Sequence, residues 1–127
     1  MLAERRRQAM FSIAPVHVDA IASGLKRWEF RRVRVTLQPE DNVLIYATAP
    51  VSSVVARFRV GGVVMGTPEH VAALEEDPHQ RCVASDYLEG STAASAIEVR
   101  DFAWLPEPQG IHAFGLQRPP LSYVFVS

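Results

Sequence analysis

Gly24-Leu25-Lys26-Arg27-Trp28-Glu29-Phe30-Arg31-Arg32 brings a glycine stop, a lysine and an alternation of aromatic and charged side chains together in one short stretch. Upstream, Pro15 stands where a first helical position would be, ahead of Val16, Ala20 and Ile21, so the spacing predicts a helix of about two turns over residues 15–23 that Gly24 terminates. Downstream, Trp28, Phe30, Val33 and Val35 mix with arginines in a strand-like pattern over residues 26–35. Lys26 therefore sits at a strand mouth beside a helix C-terminus. In a regular strand Arg27, Glu29 and Arg31 share one face, while Lys26, Trp28, Phe30 and Arg32 share the other. Burying the aromatics puts Lys26 at the edge of the core, where partial desolvation makes an amine a better base or nucleophile and Glu29 opposes this by favouring the ammonium. The alternative is structural: Glu29 pairs with its arginines on a solvated face, and Lys26 only caps carbonyls.

The rest of the chain supplies a small α+β domain around that junction. Residues 9–14 read as a short strand, 38–42 as a turn, and 43–47 as a nearly continuous apolar run of the kind found in buried central strands, closed by Ala49-Pro50. Residues 53–65 alternate enough for a long strand, with Gly61-Gly62 marking a bulge or bend. Thr67 has the features of an N-cap followed by Pro68, opening a helix to about residue 76. Asp77-Pro78 interrupts it, and a further helix covers 79–89 up to Gly90. Strands follow at 94–104 and, after a proline-rich tail, at 121–126. This order fits a small, strongly bent sheet or barrel with short flanking helices rather than a parallel βαβ array. A single domain over 9–127 preceded by a basic tail over 1–8 is expected.

Composition limits the partners. The 127 residues carry 13 Lys+Arg against 14 Asp+Glu, a net charge of −1, which argues against a polyanion-coating protein. That figure conceals a basic half (residues 1–60, ten against five) and an acidic half (residues 61–127, three against nine), an asymmetry that suggests a basic surface for an anionic partner. Twelve of the basic residues are arginine, and Lys26 is the one lysine. A lone cysteine, Cys82, excludes an internal disulfide framework. The apolar run after the basic start is too short and polar for a signal segment, so a soluble cytoplasmic protein with no membrane contact is expected.

Several chemistries are excluded by spacing. His17, His70, His79 and His112 form no ligand pattern, so no metal is expected, and no cofactor is implied. Gly61-Gly62 and Gly66 lack the Lys-Ser/Thr of a phosphate loop. Cys82 with His79 reads as a half-buried thiol beside a surface histidine. Tyr46 and Thr48 share one face of the 43–47 strand and its end; Thr48 either faces a cleft or satisfies backbone, and Tyr46 leans to the core. Ser122 either lines a cleft as the last strand returns or serves a turn. Arg57 and Arg59 form either a basic stripe suited to phosphates or an ordinary solvated face. Arg5-Arg6-Arg7 would add salt-sensitive affinity for nucleic acid.

Gly24-x-Lys26-x-x-Glu29-x-Arg31 resembles the GxKxxExR signature of the ASCH family, a branch of the PUA-like superfamily. Phe11-Ser12-Ile13-Ala14-Pro15-Val16-His17 is similar to that family's opening strand, proline and helix. Val43 to Pro50 is similar to its central strand, and Arg118 to Tyr123 to the closing strand of its longer prokaryotic members. The resemblance implies a PUA-like small β-barrel with flanking helices, and a cleft between barrel and helix for RNA or a nucleoside-like ligand. Some members of the family are hydrolases, either ribonucleases or an amidohydrolase acting on N4-acetylcytidine, so if this chain is an enzyme the resemblance implies a metal-independent hydrolase of one of these types. On this pattern Lys26 is the catalytic or anion-holding amine, Glu29 a polar or acid/base partner and Arg31 a phosphate or carboxylate clamp; Thr48, Tyr46, Arg57, Arg59 and Ser122 stand beside the signature as the further candidates for ligand contact. The chain departs from the amidohydrolase members, which carry Thr where Glu29 stands and a further Glu before the second helix, a part open here to Glu75 or Glu76. The alternative is a non-catalytic regulatory or interaction domain binding a small effector or protein partner, with any dimer contact near residues 61–66 or the proline-rich tail.

Overall fold

The computed structural model describes residues 7–126. In chain order these form β1 (Gln8–Ile13), α1 (Pro15–Ala22), β2 (Trp28–Arg31), β3 (Asn42–Ala47), β4 (Ser53–Gly66), α2 (Pro68–Ala72), α3 (Pro78–Leu88), β5 (Ala94–Gln109), a 3₁₀ turn (Ile111–Phe114) and β6 (Tyr123–Val126). The strands make one six-stranded sheet in the order β2-β5-β4-β3-β1-β6, in which only β1 and β3 run parallel. Strands β4 and β5 are 14 and 16 residues long, and their register shifts at Val54/Ala56, Arg57/Arg59 and Val60/Val63. Each shift adds local twist and bend, so the sheet curls. The edge strands β2 and β6 do not pair, so the expected barrel is an open half-barrel.

Three packed clusters fill the molecule. Phe11, Val18, Ile21, Ile45, Phe58 and Ile97 occupy the concave side of the sheet under α1. Phe30, Val71, Ala84, Leu88 and Ala96 join the sheet to α2 and α3. Met10, Leu44, Tyr46 and Val54 face the other way and are covered by Leu105, Ile111, Phe114 and Leu116. The β5 strand continues past the expected end at residue 104, and the 3₁₀ turn after it, which sequence spacing did not indicate, supplies that cover.

The strand expected over 26–35 contracts to Trp28–Arg31, because side chains replace ladder partners at both ends. Before it, the Glu75 carboxylate accepts from the backbone N–H groups of Arg27 at 2.8 Å and Trp28 at 3.2 Å. After it, the Ser95 hydroxyl donates to the Val33 carbonyl at 2.7 Å and accepts from the Val35 N–H at 3.3 Å. Helix α2 also stops early, at Ala72, and Asp77 rather than a continuing helix opens α3 by accepting from the Gln80 N–H at 3.0 Å. Thr67 caps α2 as its sequence position suggests. The basic tail expected over 1–8 lies mostly outside the described residues, but its last members belong to the fold. Gln8 opens β1, and Arg7 engages Asp41 through both backbone and guanidinium.

Two features fix the chain where it enters β2. Gly24 has a φ of +84°, and this left-handed turn brings the Lys26 N–H onto the Ala20 carbonyl at 3.0 Å. No atom lies within 4 Å of where a Cβ on Gly24 would sit. Gly24→Ala therefore incurs only the backbone penalty of a left-handed L-residue, and should lower the unfolding free energy by about 1–2 kcal/mol in urea titration with the slope unchanged. Glu75 is fully buried, and glutamine there offers one oxygen to two N–H donors. Glu75→Gln should leave one of them unpaired and cost on the order of 1–3 kcal/mol in the same titration; wild-type stability would show that this carboxylate does not hold β2.

Candidate functional site

The signature residues converge because each comes from a different local constraint. The left-handed Gly24 turn delivers Lys26 just ahead of β2, so strand alternation does not govern it and its side chain joins the Glu29 side. Within β2, Glu29 pairs across the ladder with Ile97 of the concave core, whereas Phe30 pairs with Ala96 under α2 and α3. Both faces of this strand are buried, and the solvated ion-paired face considered from sequence is not present.

Lys26, Glu29 and Arg31 are 8%, 5% and 7% exposed. Lys26 Nζ lies 3.1 Å from Glu29 Oε1, and Arg31 Nη2 lies 2.7 Å from Glu29 Oε2, so one carboxylate bridges two cations. Arg31 also donates to the Ser12 carbonyl at 3.1 Å and to Ser122 Oγ at 3.4 Å. Its guanidinium lies 4.6 Å from the Phe11 ring centroid, and Lys26 Nζ lies 5.1 Å from that of Phe30. The Arg31 Nε is buried and has no hydrogen-bond partner among the described residues. Such a group is costly to leave unpaired, so the other donors of the guanidinium and its contact with the Phe11 ring carry the burial of Arg31.

The cleft has a volume of about 280 Å³, near the lower end of the range of ~300–1,000 Å³ for small-molecule sites. Ser12, Ile13, Ala14 and His17 from the β1–α1 junction form one side, and Lys26, Glu29, Phe30 and Arg31 form the floor. Gln80, Val83, Ala84 and Tyr87 from α3 form the opposite wall. Burial disfavours ionisation of Glu29, but Lys26 and Arg31 outweigh it, helped by the Lys26 hydrogen bond and by His17, and hold the carboxyl below its ordinary value. His17 is pushed below the usual imidazole value by burial and then by Lys26, with Glu29 opposing, so it is neutral at neutral pH. Burial pushes the Glu75 carboxyl up despite its two backbone donors.

Other residues expected at the site lie elsewhere. Tyr46 is packed with Met10 and Leu44 on the far face of the sheet. Thr48 is not among the cleft residues; its N–H donates to the Ile13 carbonyl at 3.0 Å, and its own carbonyl accepts from Val51 at 3.1 Å. Ser122 does not line the cleft, but its hydroxyl accepts from Arg31 and its carbonyl from the Ser12 N–H at 3.1 Å. Arg57 and Arg59 pair across the ladder with Leu44 and Asn42, which puts them on the Leu44 side of the sheet, away from the cleft. Arg59 lies 3.3 Å from Glu40 in an ion pair. Glu75 serves the backbone of β2, and neither it nor Glu76 lines the cleft. Sequence spacing did not single out His17 or the α3 wall, although positions 80, 83, 84 and 87 carry the one-face helical period that could have drawn attention to them. Among the described residues no group of three or more His, Cys, Asp or Glu could hold a metal ion. No helix there is long and apolar enough to cross a membrane.

No family model matches the chain. It is 35% identical over 104 residues to an ASCH domain-containing ribonuclease from Zymomonas mobilis, in a match covering 76% of this chain and 66% of that protein. The crystal structure of ASCH from Zymomonas mobilis superposes with a TM-score of 0.82 at 28% identity, covering 97% of this chain and 90% of the other. A Tyr-to-Phe mutant of that protein gives 0.82 at 27% identity, over 96% and 91% of the two chains. The curled six-stranded sheet, the placement of the Gly24–Arg31 signature and this likeness agree, and the chain belongs to the ASCH domain family.

Proposed function

We propose that this protein binds RNA or a nucleotide-like anion in the Lys26–Glu29–Arg31 cleft and hydrolyses an RNA phosphodiester there. The observation that carries the proposal is the composition of the buried floor: two cations that line the cleft share one carboxylate. A phosphate oxygen supplies the negative charge that this floor lacks. The relative named as a ribonuclease supports phosphodiester chemistry. The amidohydrolase alternative has less support, because Glu75 is engaged by backbone and Glu76 is outside the cleft.

In this scheme Lys26 and Arg31 hold the non-bridging phosphate oxygens and stabilise the charge that grows on them as the attacking oxygen bonds to phosphorus. His17, neutral and lining the same cleft, takes the proton of the attacking hydroxyl. The bond from phosphorus to the leaving oxygen then breaks, and that oxygen takes a proton from solvent. Glu29, assigned a catalytic role from sequence, has one oxygen on each cation and is held ionised, so its part here is to position them.

Lys26→Met should lower cleavage of a short single-stranded RNA on the order of 10²-fold while the fold is retained by circular dichroism. Arg31→Lys, which keeps the charge but loses the fork, should weaken binding of the same RNA about tenfold or more. Undiminished cleavage by the lysine variant would remove Lys26 from the chemistry.

The pH dependence is also defined. Because His17 is held below its ordinary 6.5, the acid limb of the rate profile should fall below pH 6.5. Glu29, held below its ordinary 4.5, stays ionised through that window. His17→Gln should lower the plateau rate and abolish the limb; an unchanged limb in that variant would assign it to another group.

A further inference from the structure

Arg31 and Arg32 are adjacent but end on opposite sides of the cleft. Arg31 enters the buried floor, whereas Arg32 is exposed and reaches across to α3. There Arg32 Nε donates to the Tyr87 carbonyl at 2.7 Å, and its guanidinium lies 4.4 Å from the centroid of the Tyr87 ring. One surface arginine is thus fixed twice to one residue, and the effect is to brace a tyrosine ring that is 37% exposed and lines the cleft. Val83 and Ala84 continue this wall as an apolar surface one turn earlier, and Gln80 ends it with an amide that both donates and accepts. The floor opposite is cationic. The cleft therefore has an anion-holding end and a flat apolar wall with one polar group.

We propose that the α3 wall is the base-recognition side of the cleft, with Tyr87 as a stacking platform that Arg32 positions and Gln80 as the contact to the base edge. The proposal rests on the nucleotide reading of the floor and adds to it which part of the ligand goes where. A sugar phosphate or inorganic phosphate engages Lys26 and Arg31 alone. A nucleotide gains the wall as well, since any base offers a π-face to an aromatic ring. Arg32, identified in sequence as one more basic residue beside the signature, is then a positioning residue.

Calorimetric titration of the full chain with a nucleoside 5′-monophosphate and with ribose 5-phosphate tests this. The wild type should bind the nucleotide more tightly than the sugar phosphate. Tyr87→Leu should weaken nucleotide binding by about 5- to 100-fold and leave ribose 5-phosphate unchanged. Tyr87→Phe should remain close to wild type, and Arg32→Ala should give a smaller loss confined to the nucleotide. Full nucleotide affinity in Tyr87→Leu, or an equal loss for both ligands, overturns the stacking platform while leaving the anion floor standing. Failure of the wild type to bind either ligand overturns the nucleotide reading of the floor and the base wall with it.

Discussion

The Glu29 carboxylate, shared between Lys26 and Arg31 inside the protein, is the interaction on which the rest of the structure depends. Three charges are held there with almost no water, and taking ions out of water is costly unless each is paired and hydrogen-bonded. The pairing is close at both oxygens, and aromatic rings lie against both cations. Loss of Glu29 leaves two buried cations uncompensated, a change that typically costs about 3–5 kcal/mol. Site and core are therefore one unit here.

That coupling follows from the topology. A six-stranded sheet that curls without pairing its edges leaves a gap between β2 and β6, and the backbone groups facing the gap need partners. Arg31 crosses it, taking the Ser12 carbonyl of β1 and the Ser122 hydroxyl just before β6. Ser12 reinforces the same seam by donating its N–H to the Ser122 carbonyl and its hydroxyl to the Pro120 carbonyl. The cleft occupies the place where the sheet fails to close, and the residues that lace the opening also line it. An arginine is suited to both tasks because its planar fork offers five donors, of which the closure leaves Nε unused.

Much of this was legible in the sequence, and the failures share a cause. Gly24, the Pro15 helix, the Thr67 cap and the apolar 43–47 run are local signals, and each produced its element. Lys26, Glu29 and Arg31 of the signature converge because this needs only a helix stop and a four-residue strand. That Tyr46, Arg57 and Arg59 lie away from the cleft was not legible, because the face a strand residue occupies depends on bulges and on which side of the curled sheet the cleft opens, both tertiary facts. Ser122 was recognised without its partner, since Arg31 is ninety-one positions away in the chain. The α3 wall carried a visible helical stripe, yet a stripe does not say whether it meets core or ligand.

The asymmetry of charge along the chain has a different meaning once the pairs are known. Several members of the basic half are paired where they stand: Arg7 with Asp41, Arg59 with Glu40, and Lys26 and Arg31 together with the one carboxylate of Glu29. Arg32 is turned onto Tyr87. Arg27, Arg34 and Arg57 of the same half stay exposed. What the cleft offers an anion is local, a buried floor in which two cations share one carboxylate. The single lysine suits that floor because a compact ammonium reaches one oxygen of Glu29 at 3.1 Å and leaves the other to the guanidinium, whereas a second planar fork would compete for both. Recognition by an incomplete buried site selects for the shape and charge of one ligand group, and recognition by a charged surface does not.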